Sequence, residues 1–179
     1  YLIKSNVPTI KSVKPYSPLE LQGRDLYIRE GCNNCHSQMI RPFRSETERY
    51  GEYSKAGEFV YDHPFLWGSK RTGPDLARIG QKYPNLWHFN HMLDPVSMSP
   101  GSNMPKYDWL FTQDLDISTT SAKIIALRKI GVPYPEGYEN IANEELNKQA
   151  AEITEDLIKN GAPAEQTKEI IALIAYLQR

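Results

Sequence analysis

Hydrophobic residues recur with the spacing of an α-helix in five parts of the chain, residues 17–30, 85–93, 121–130, 140–159 and 163–178. In residues 140–159, for example, Leu146, Ile153 and Leu157 share one helical face. This periodicity predicts amphipathic helices that pack against a common core. No stretch alternates between apolar and polar residues with comparable strength, so the pattern predicts an all-α fold.

The first of these helices has clear signals at both ends. Ser17 can cap its N-terminus, Pro18 suits the first helical position, and Glu20 can complete a capping box. Gly31 can end the helix, because glycine readily takes the left-handed conformation that follows a last turn. Within the helix, Gly23 has no side chain and indicates that a second helix passes close by.

The segment before this helix is different in character. Residues 1–16 carry Pro8, Pro15 and scattered lysines without a hydrophobic period, which is typical of a tether. We therefore expect a tether over residues 1–16 and one domain over residues 17–179. Because the chain starts at Tyr1 without a signal-peptide pattern, we expect the numbering to begin inside a longer precursor or an engineered chain. Residues 1–4 are interpreted as the stub of a removed membrane anchor.

Between residues 36 and 72 no hydrophobic period is sustained. The segment is nonetheless too rich in aromatic residues for a disordered linker. It contains Tyr50, Tyr53, Phe59, Tyr61, Phe65 and Trp67. We interpret it as an ordered loop that folds over a bound group or against a partner protein.

The chain has only two cysteines, and both lie in the sequence Cys32-Asn33-Asn34-Cys35-His36. Two thiols at this spacing, followed directly by an imidazole, form the motif that attaches haem c covalently. The thiols add to the two vinyl groups of the haem, and the histidine is an axial ligand of the iron. The motif therefore predicts one haem c, attached through Cys32 and Cys35 and ligated by His36.

A thioredoxin-like redox pair, half of a zinc site and a structural disulfide are the alternative interpretations of these residues. A redox pair is expected in a βαβ context, and a structural zinc ion needs two further Cys or His ligands at close spacing. Neither feature is found around the motif. A disulfide between Cys32 and Cys35 would close a very small loop and would leave His36 without a role.

Charge and hydropathy limit the class of partner. The formal net charge is -1 and no basic run is present, so no nucleic-acid partner is expected. The longest apolar stretch, residues 170–177, is far shorter than the roughly 20 residues that a membrane-spanning helix needs. The sequence therefore predicts a chain that is soluble as given.

Several side chains could supply a second axial ligand. The candidates are Met39, His63, His88, His91, Met92, Met98 and Met104. Met39 lies too close to the attachment motif to reach the opposite haem face easily. His88, His91 and Met92 share one predicted helix, where such residues are more often packed or solvated than ligands. His63, in the long loop, stays a candidate.

Met98 and Met104 lie in a segment rich in Ser, Gly and Pro, which is typical of a ligand-bearing loop. Met104 is the stronger candidate, because Pro105 restricts the adjoining backbone and because Tyr107 and Trp109 can pack against the haem edge. Met98 is more simply explained as a side chain that fills a gap in the core. A histidine and methionine pair saturates the iron, which indicates electron transfer rather than catalysis.

Two further contacts are expected around the haem. The carbonyl of Pro74 is the expected acceptor for the second ring nitrogen of His36, although this segment could equally form an ordinary turn. Arg41, Arg44 or Arg71 is expected to pair with a haem propionate. The alternative is that all three arginines are solvated or contact a neighbouring subunit.

The chain resembles the monohaem cytochrome c subunit of cbb3-type cytochrome c oxidases over nearly its whole length, from about residue 16 to the last helix. The resemblance rests on motifs that are far more specific than the haem motif alone. They are PLE at residues 18–20, GRD at 23–25, HSQMIRPFR at 36–44, YDHPF at 61–65, WGSKRTGPDLAR at 67–78 and SNMP at 102–105.

This resemblance implies a class I cytochrome c fold whose first and last helices cross, here with a long loop insertion and extra helices before the C-terminal helix. It implies that Cys32 and Cys35 attach the haem and that His36 and Met104 are its axial ligands. The domain would be no enzyme in isolation. It would relay electrons from a dihaem cytochrome c subunit, or from a soluble donor cytochrome, to the catalytic haem-copper subunit at the periplasmic face of the bacterial inner membrane.

Subunits of this family carry an N-terminal membrane helix, whereas this sequence shows none. Either the helix was cut away, or the domain is joined to a membrane subunit in another way, including fusion to the catalytic chain. Two other functions also stay open. A free-standing haem enzyme or gas-binding sensor requires an open or displaceable sixth position, and a diffusing shuttle cytochrome needs less surface than the long aromatic loop offers.

Overall fold

The computed structural model describes residues 10–179. This part of the chain contains seven α-helices and no β-strand, so the predicted all-α, cytochrome c-like fold is confirmed. The helices are α1 (Pro18–Arg29), α2 (Arg44–Tyr50), α3 (Asn85–Leu93), α4 (Pro95–Met98), α5 (Thr120–Lys129), α6 (Tyr138–Lys159) and α7 (Glu169–Leu177). The start of the expected tether, including the expected anchor stub, lies outside the described residues.

The described residues form two compact units. The first contains Gly31–Arg78 together with the described residues that precede Tyr16. The second contains Tyr16–Glu30 and Ile79–Arg179. The expectation of one domain over residues 17–179 stays a prediction.

Helix α1, in the second unit, begins and ends where the sequence predicts. The backbone N–H of Glu20 donates to the Ser17 hydroxyl at 3.3 Å, and the Ser17 N–H donates to the Glu20 carboxylate at 2.8 Å. The capping box is therefore complete. At the other end, Gly31 follows the helix with a φ of 71°, a left-handed conformation that favours glycine.

Helices α1 and α7 pack closely in the second unit. A Cβ atom on Gly23 would lie 1.9 Å from the carbonyl oxygen of Ala172 and 2.8 Å from the Cβ of Tyr176. The rings of Tyr27 and Tyr176 meet with centroids 5.2 Å apart. Since every residue of α7 is buried, this helix forms the centre of the unit's core. The close approach predicted at Gly23 is confirmed.

Helix α7 is shorter than the predicted helix over residues 163–178. The carbonyl of Thr167 accepts a hydrogen bond from the N–H of Leu115 at 2.7 Å, and the N–H of Glu169 donates to the carbonyl of Gln113 at 3.1 Å. These backbone groups pair with a neighbouring segment instead of with a helical turn. The prediction was therefore wrong for the first six residues, whose local pattern could not reveal the distant partner.

Helix α2, in the first unit, was not predicted. It has seven residues, and its one buried residue is the charged Glu46. A helix that buries no apolar side chain leaves no hydrophobic period in the sequence, which explains the omission. A 3-10 turn over Ala56–Phe59 also interrupts the expected loop.

No helix within residues 10–179 has both the length and the apolar character required to cross a bilayer.

Candidate functional site

The haem-attachment motif forms a tight turn in the first unit. Cys32–Asn34 make a 3-10 turn, and the N–H of His36 donates to the carbonyl of Cys32 at 2.9 Å. This bond folds His36 back beside the first cysteine. Neither cysteine forms a disulfide, and Cys32 is buried whereas Cys35 is exposed. The sulfur atoms of the motif are therefore not joined to each other.

The imidazole of His36 is held by the backbone of Pro74. Its Nδ1 lies 2.7 Å from the Pro74 carbonyl oxygen. A carbonyl oxygen only accepts hydrogen bonds, so Nδ1 must carry the proton and donate it. In the neutral ring the lone pair is then on Nε2, the nitrogen that is free to ligate a metal. The structure has the hydrogen bond that the sequence predicts, and the role of both residues in haem binding stays a prediction.

Two glycines allow the backbone to pass close to this turn. A Cβ atom on Gly73 would lie 2.2 Å from Cε1 of His36 and 2.7 Å from its Nδ1. Gly68 has a φ of 62°, and a Cβ atom there would lie 3.1 Å from the carbonyl oxygen of Asn33. A side chain at position 73 would collide with the His36 ring, and one at position 68 would crowd the backbone of the motif. These glycines therefore shape a cradle around His36.

A partly buried ion network lies beside the motif, with Glu46 as its buried carboxylate. The guanidinium of Arg71 donates to both carboxylate oxygens of Glu46. It also donates through Nε to the hydroxyl of Ser37 at 2.6 Å. Arg71, and after it Arg41, lowers the pKa of Glu46 from 4.5 to about 2, while Glu46 raises the pKa of Arg71. This part of the site therefore keeps its charges at any physiological pH.

The three arginines expected at a haem propionate all have carboxylate partners within the first unit. Arg41 donates through Nε to Glu46 at 2.6 Å, as Arg71 does through its terminal nitrogens. Arg44 is exposed and pairs with Glu48 at 2.7 Å. Pairing of Arg41, Arg44 or Arg71 with a propionate stays a prediction.

Met104 and the two aromatic residues after it belong to the second unit. The N–H of Met104 donates to the hydroxyl of Ser102 at 3.1 Å, and its side chain is half-buried. The rings of Tyr107 and Trp109 meet edge to face at 5.4 Å. Trp109 donates through Nε1 to Glu30 at 3.0 Å. Ligation by Met104 and haem contact by the two aromatic rings stay predictions.

The other candidate ligands of the second unit are mostly packed side chains. His88 is 1% exposed, and its Nε2 has no hydrogen-bond partner among the described residues. Burial, together with the nearby His91, lowers the pKa of His88 from 6.5 to about 4, so its ring is neutral. Met92 is also buried, and Met98 is the last residue of α4.

The residues present fit a covalently bound haem c. The two cysteines are not joined in a disulfide, and His36 keeps one ring nitrogen for a metal. Gly73, which has no side chain, leaves room for the His36 ring in its observed orientation. The sequence pattern did not reveal the roles of Ser37, Glu46 and Asp75, which form the polar support of this turn. Their only signal was their position inside or beside the quoted motifs, because a buried polar network has no periodicity.

Comparison with protein families supports the same assignment. A family model described as "Cytochrome C oxidase, mono-heme subunit/FixO" matches residues 1–179, which is the whole chain. Comparison with curated proteins finds no match. A mono-haem subunit carries one haem and works as part of an oxidase complex that includes a catalytic subunit. On these grounds the chain belongs to the family of mono-haem cytochrome c subunits of cytochrome c oxidase, the FixO family.

Proposed function

We propose that this chain relays single electrons from a donor cytochrome to the catalytic haem-copper subunit of a cbb3-type oxidase. The donor is the dihaem cytochrome c subunit or a soluble cytochrome, and the relay operates at the periplasmic face of the bacterial inner membrane. Membership of the FixO family supports the place in the oxidase. The observation that carries the proposal is the hydrogen bond from Nδ1 of His36 to Pro74, because it prepares Nε2 as a metal ligand.

The chemistry divides between the cofactor and the chain. A haem c attached through Cys32 and Cys35 supplies a one-electron couple between ferric and ferrous iron. His36 offers a neutral nitrogen in a fixed orientation, and the thioether of Met104 is the proposed second axial ligand. A thioether ligand raises the reduction potential, and the pair leaves no position for a substrate. The isolated chain is therefore an electron carrier and not an enzyme.

The remaining predicted residues have supporting roles in this proposal. Arg41 or Arg71 balances the charge of a haem propionate, which a carboxylate in a poorly solvated site requires. Tyr107 and Trp109 cover the haem edge and exclude water. Water exclusion reduces the reorganisation that accompanies each change of charge, because fewer solvent dipoles must turn.

Carbon monoxide separates this function from its main alternative. The reduced holoprotein should keep its visible spectrum under carbon monoxide at neutral pH, because His36 and Met104 would both hold the iron. In the assembled oxidase, Met104→Ala should slow the delivery of electrons to the catalytic subunit, whereas Met98→Ala should not. Ready binding of carbon monoxide by the unaltered chain would overturn the proposal in favour of a gas-binding sensor or a haem enzyme.

A further inference from the structure

Asp75 is a fully buried carboxylate beside the haem-attachment turn, with 0% of its side chain exposed. Its Oδ2 accepts hydrogen bonds from the hydroxyl of Ser37 at 2.6 Å, from the N–H of Met39 at 2.9 Å and from the guanidinium of Arg71 at 3.4 Å. Its Oδ1 accepts from the N–H of Ala77 at 2.8 Å. Four donors on one buried carboxylate compensate its lost hydration and fix its position.

The bonds of Asp75 close a ring with the proposed iron ligand. His36 donates to the carbonyl of Pro74, and Pro74 is joined by a peptide bond to Asp75. Asp75 accepts from the hydroxyl of Ser37, which is in turn the residue after His36. The imidazole and the carbonyl that orients it are therefore tied together from both sides. Rotation of the imidazole would break its bond to Pro74, and displacement of the Pro74 carbonyl would move Asp75, which the Ser37 hydroxyl holds.

Backbone hydrogen bonds flank this ring. The N–H of Gly73 donates to the carbonyl of Cys35 at 3.0 Å, and the N–H of Leu76 donates to the carbonyl of Ser37 at 2.8 Å. These bonds lie before and after Pro74 in the chain, so its carbonyl sits within a doubly anchored segment. The ring is therefore part of a built cradle and not an isolated contact.

Arg71 supports the ring from a third direction. Its Nε donates to the hydroxyl of Ser37 at 2.6 Å, and its Nη2 donates to the carbonyl of Met39 at 3.0 Å. Ser37 thus accepts from a cation and donates to an anion, which gives its hydroxyl a single favourable orientation. Glu46 in turn holds Arg71 in place.

We infer that Asp75, acting through Ser37 and the Pro74 carbonyl, is a positioning residue that sets the strength of His36 as an axial ligand and thereby lowers the reduction potential of the haem. A firmly held Nδ1–H···O bond makes the imidazole a better electron donor, which favours ferric iron over ferrous iron. The inference rests on the proposed function, since His36 has a ligand strength only if it binds the iron.

Asp75→Asn removes a negative charge and also weakens the support that positions His36, and the two effects must be separated. Removal of a buried carboxylate near the iron would by itself favour the ferrous state. Ser37→Ala makes this separation, since it changes no charge and removes the link between Asp75 and the residue after His36. A role through charge alone predicts that only Asp75→Asn shifts the potential. A role through position predicts that Ser37→Ala shifts it in the same direction.

The test is made on the holoprotein by redox titration and by NMR of the ferrous form. Asp75→Asn should change the equilibrium between ferric and ferrous iron about tenfold towards ferrous, which corresponds to about 59 mV for one electron. Ser37→Ala should give a smaller shift of the same sign. In both variants the Nδ1 proton of His36 should exchange with solvent about tenfold faster.

Glu139→Gln is the matched control. This substitution also removes one negative charge, here from a carboxylate that Arg128 binds through two hydrogen bonds. Glu139 lies on α6 in the second unit. This variant should leave both the potential and the exchange of the His36 proton unchanged. If it shifts them as much as Asp75→Asn does, the effect is general loosening and the inference is wrong.

One further outcome would decide against the inference. Unchanged potential and exchange in Ser37→Ala, with Asp75→Asn either altered or unable to fold, would leave no role for position. Absence of covalent haem in the unaltered chain is a different result, which would overturn the proposed function itself. Haem content measured before each titration therefore tells the two failures apart.

Discussion

A Cβ atom on Gly73 would lie 2.2 Å from Cε1 of His36, well inside the van der Waals distance of two carbon atoms. The backbone of Gly73 thus passes so close to the imidazole that no side chain can be accommodated without movement of the ring. Gly73 has no left-handed backbone conformation, so the close approach alone explains the need for glycine here.

Gly73→Ala should displace the imidazole and weaken its bond to the haem iron. Because the two cysteines are untouched, the haem should stay covalently attached while part of the ferric protein changes from low spin to high spin. Absorption and electron paramagnetic resonance spectra of the holoprotein measure this change. Thr72→Ala, at an exposed neighbouring position, should leave both spectra unaltered. A low-spin spectrum in Gly73→Ala would contradict the cradle.

Met104→Ala should remove the weak charge-transfer absorption of a thioether bound to ferric haem, lower the reduction potential and open the iron to carbon monoxide or imidazole. These three changes share one cause, the loss of the sulfur ligand. Met98→Ala is the control from the same stretch of chain and should leave all three nearly unchanged. The reverse result for the two variants would show that the ligand has been assigned to the wrong methionine.

Gly23→Ala should destabilise the second unit, although alanine is the better helix former by about 1 kcal/mol. The new methyl group would meet the carbonyl of Ala172, which belongs to the backbone and cannot rotate away. We expect a net loss of about 1 to 3 kcal/mol in the free energy of unfolding, measured by denaturant titration, and a larger loss for Gly23→Leu.

Ala151→Leu tests the specificity of this effect, because it adds volume at an exposed position of α6. Its free energy of unfolding should stay within about 0.5 kcal/mol of the unaltered chain. Equal stability of Gly23→Ala and the unaltered chain would mean that α1 and α7 do not pack as described.

Because of His88, the free energy of unfolding should decrease as the pH drops from about 6.5 to about 4. The unfolded chain binds a proton at this histidine near pH 6.5, whereas the buried ring of the native chain resists protonation until about pH 4. Acid therefore favours the unfolded state, by up to about 3 kcal/mol at the lower end of this window. Below about pH 4.5, protonation of Glu46 adds a further loss as the pH falls towards 2.

Urea titrations at several pH values measure this dependence. His88→Leu should flatten the slope between pH 6.5 and 4, because the residue that replaces histidine takes up no proton. His63→Gln, at an exposed position, should leave the slope in place. An unchanged slope in His88→Leu would show that other groups cause the acid sensitivity.

The residues that the sequence located best are those whose role depends on local chemistry. The capping box of Ser17 and Glu20, the helix end at Gly31 and the bounds of α3 all follow from short-range signals. The Pro74 carbonyl lies 38 residues from His36 and was found from the chemistry of the site, since a histidine ligand needs an acceptor for its second nitrogen.

The features that the sequence did not locate depend on contacts between distant segments. Thr167 pairs with Leu115, and this backbone bond shortens α7. Asp75 and Arg71 contact Ser37 across more than thirty residues of chain. No hydrophobic periodicity around these three residues predicts the contact. Such pairings become visible only when the fold brings the segments together.

The most direct test of the account is the mass of the polypeptide after expression in cells that assemble haem c, followed by acid and organic extraction. We predict that the chain keeps the mass of one haem, that Cys32→Ala and Cys35→Ala each lose one thioether bond, and that the extracted solvent stays colourless. A chain of bare polypeptide mass, or a haem that moves entirely into the solvent, would contradict the central claim that Cys32, Cys35 and His36 form a haem c site.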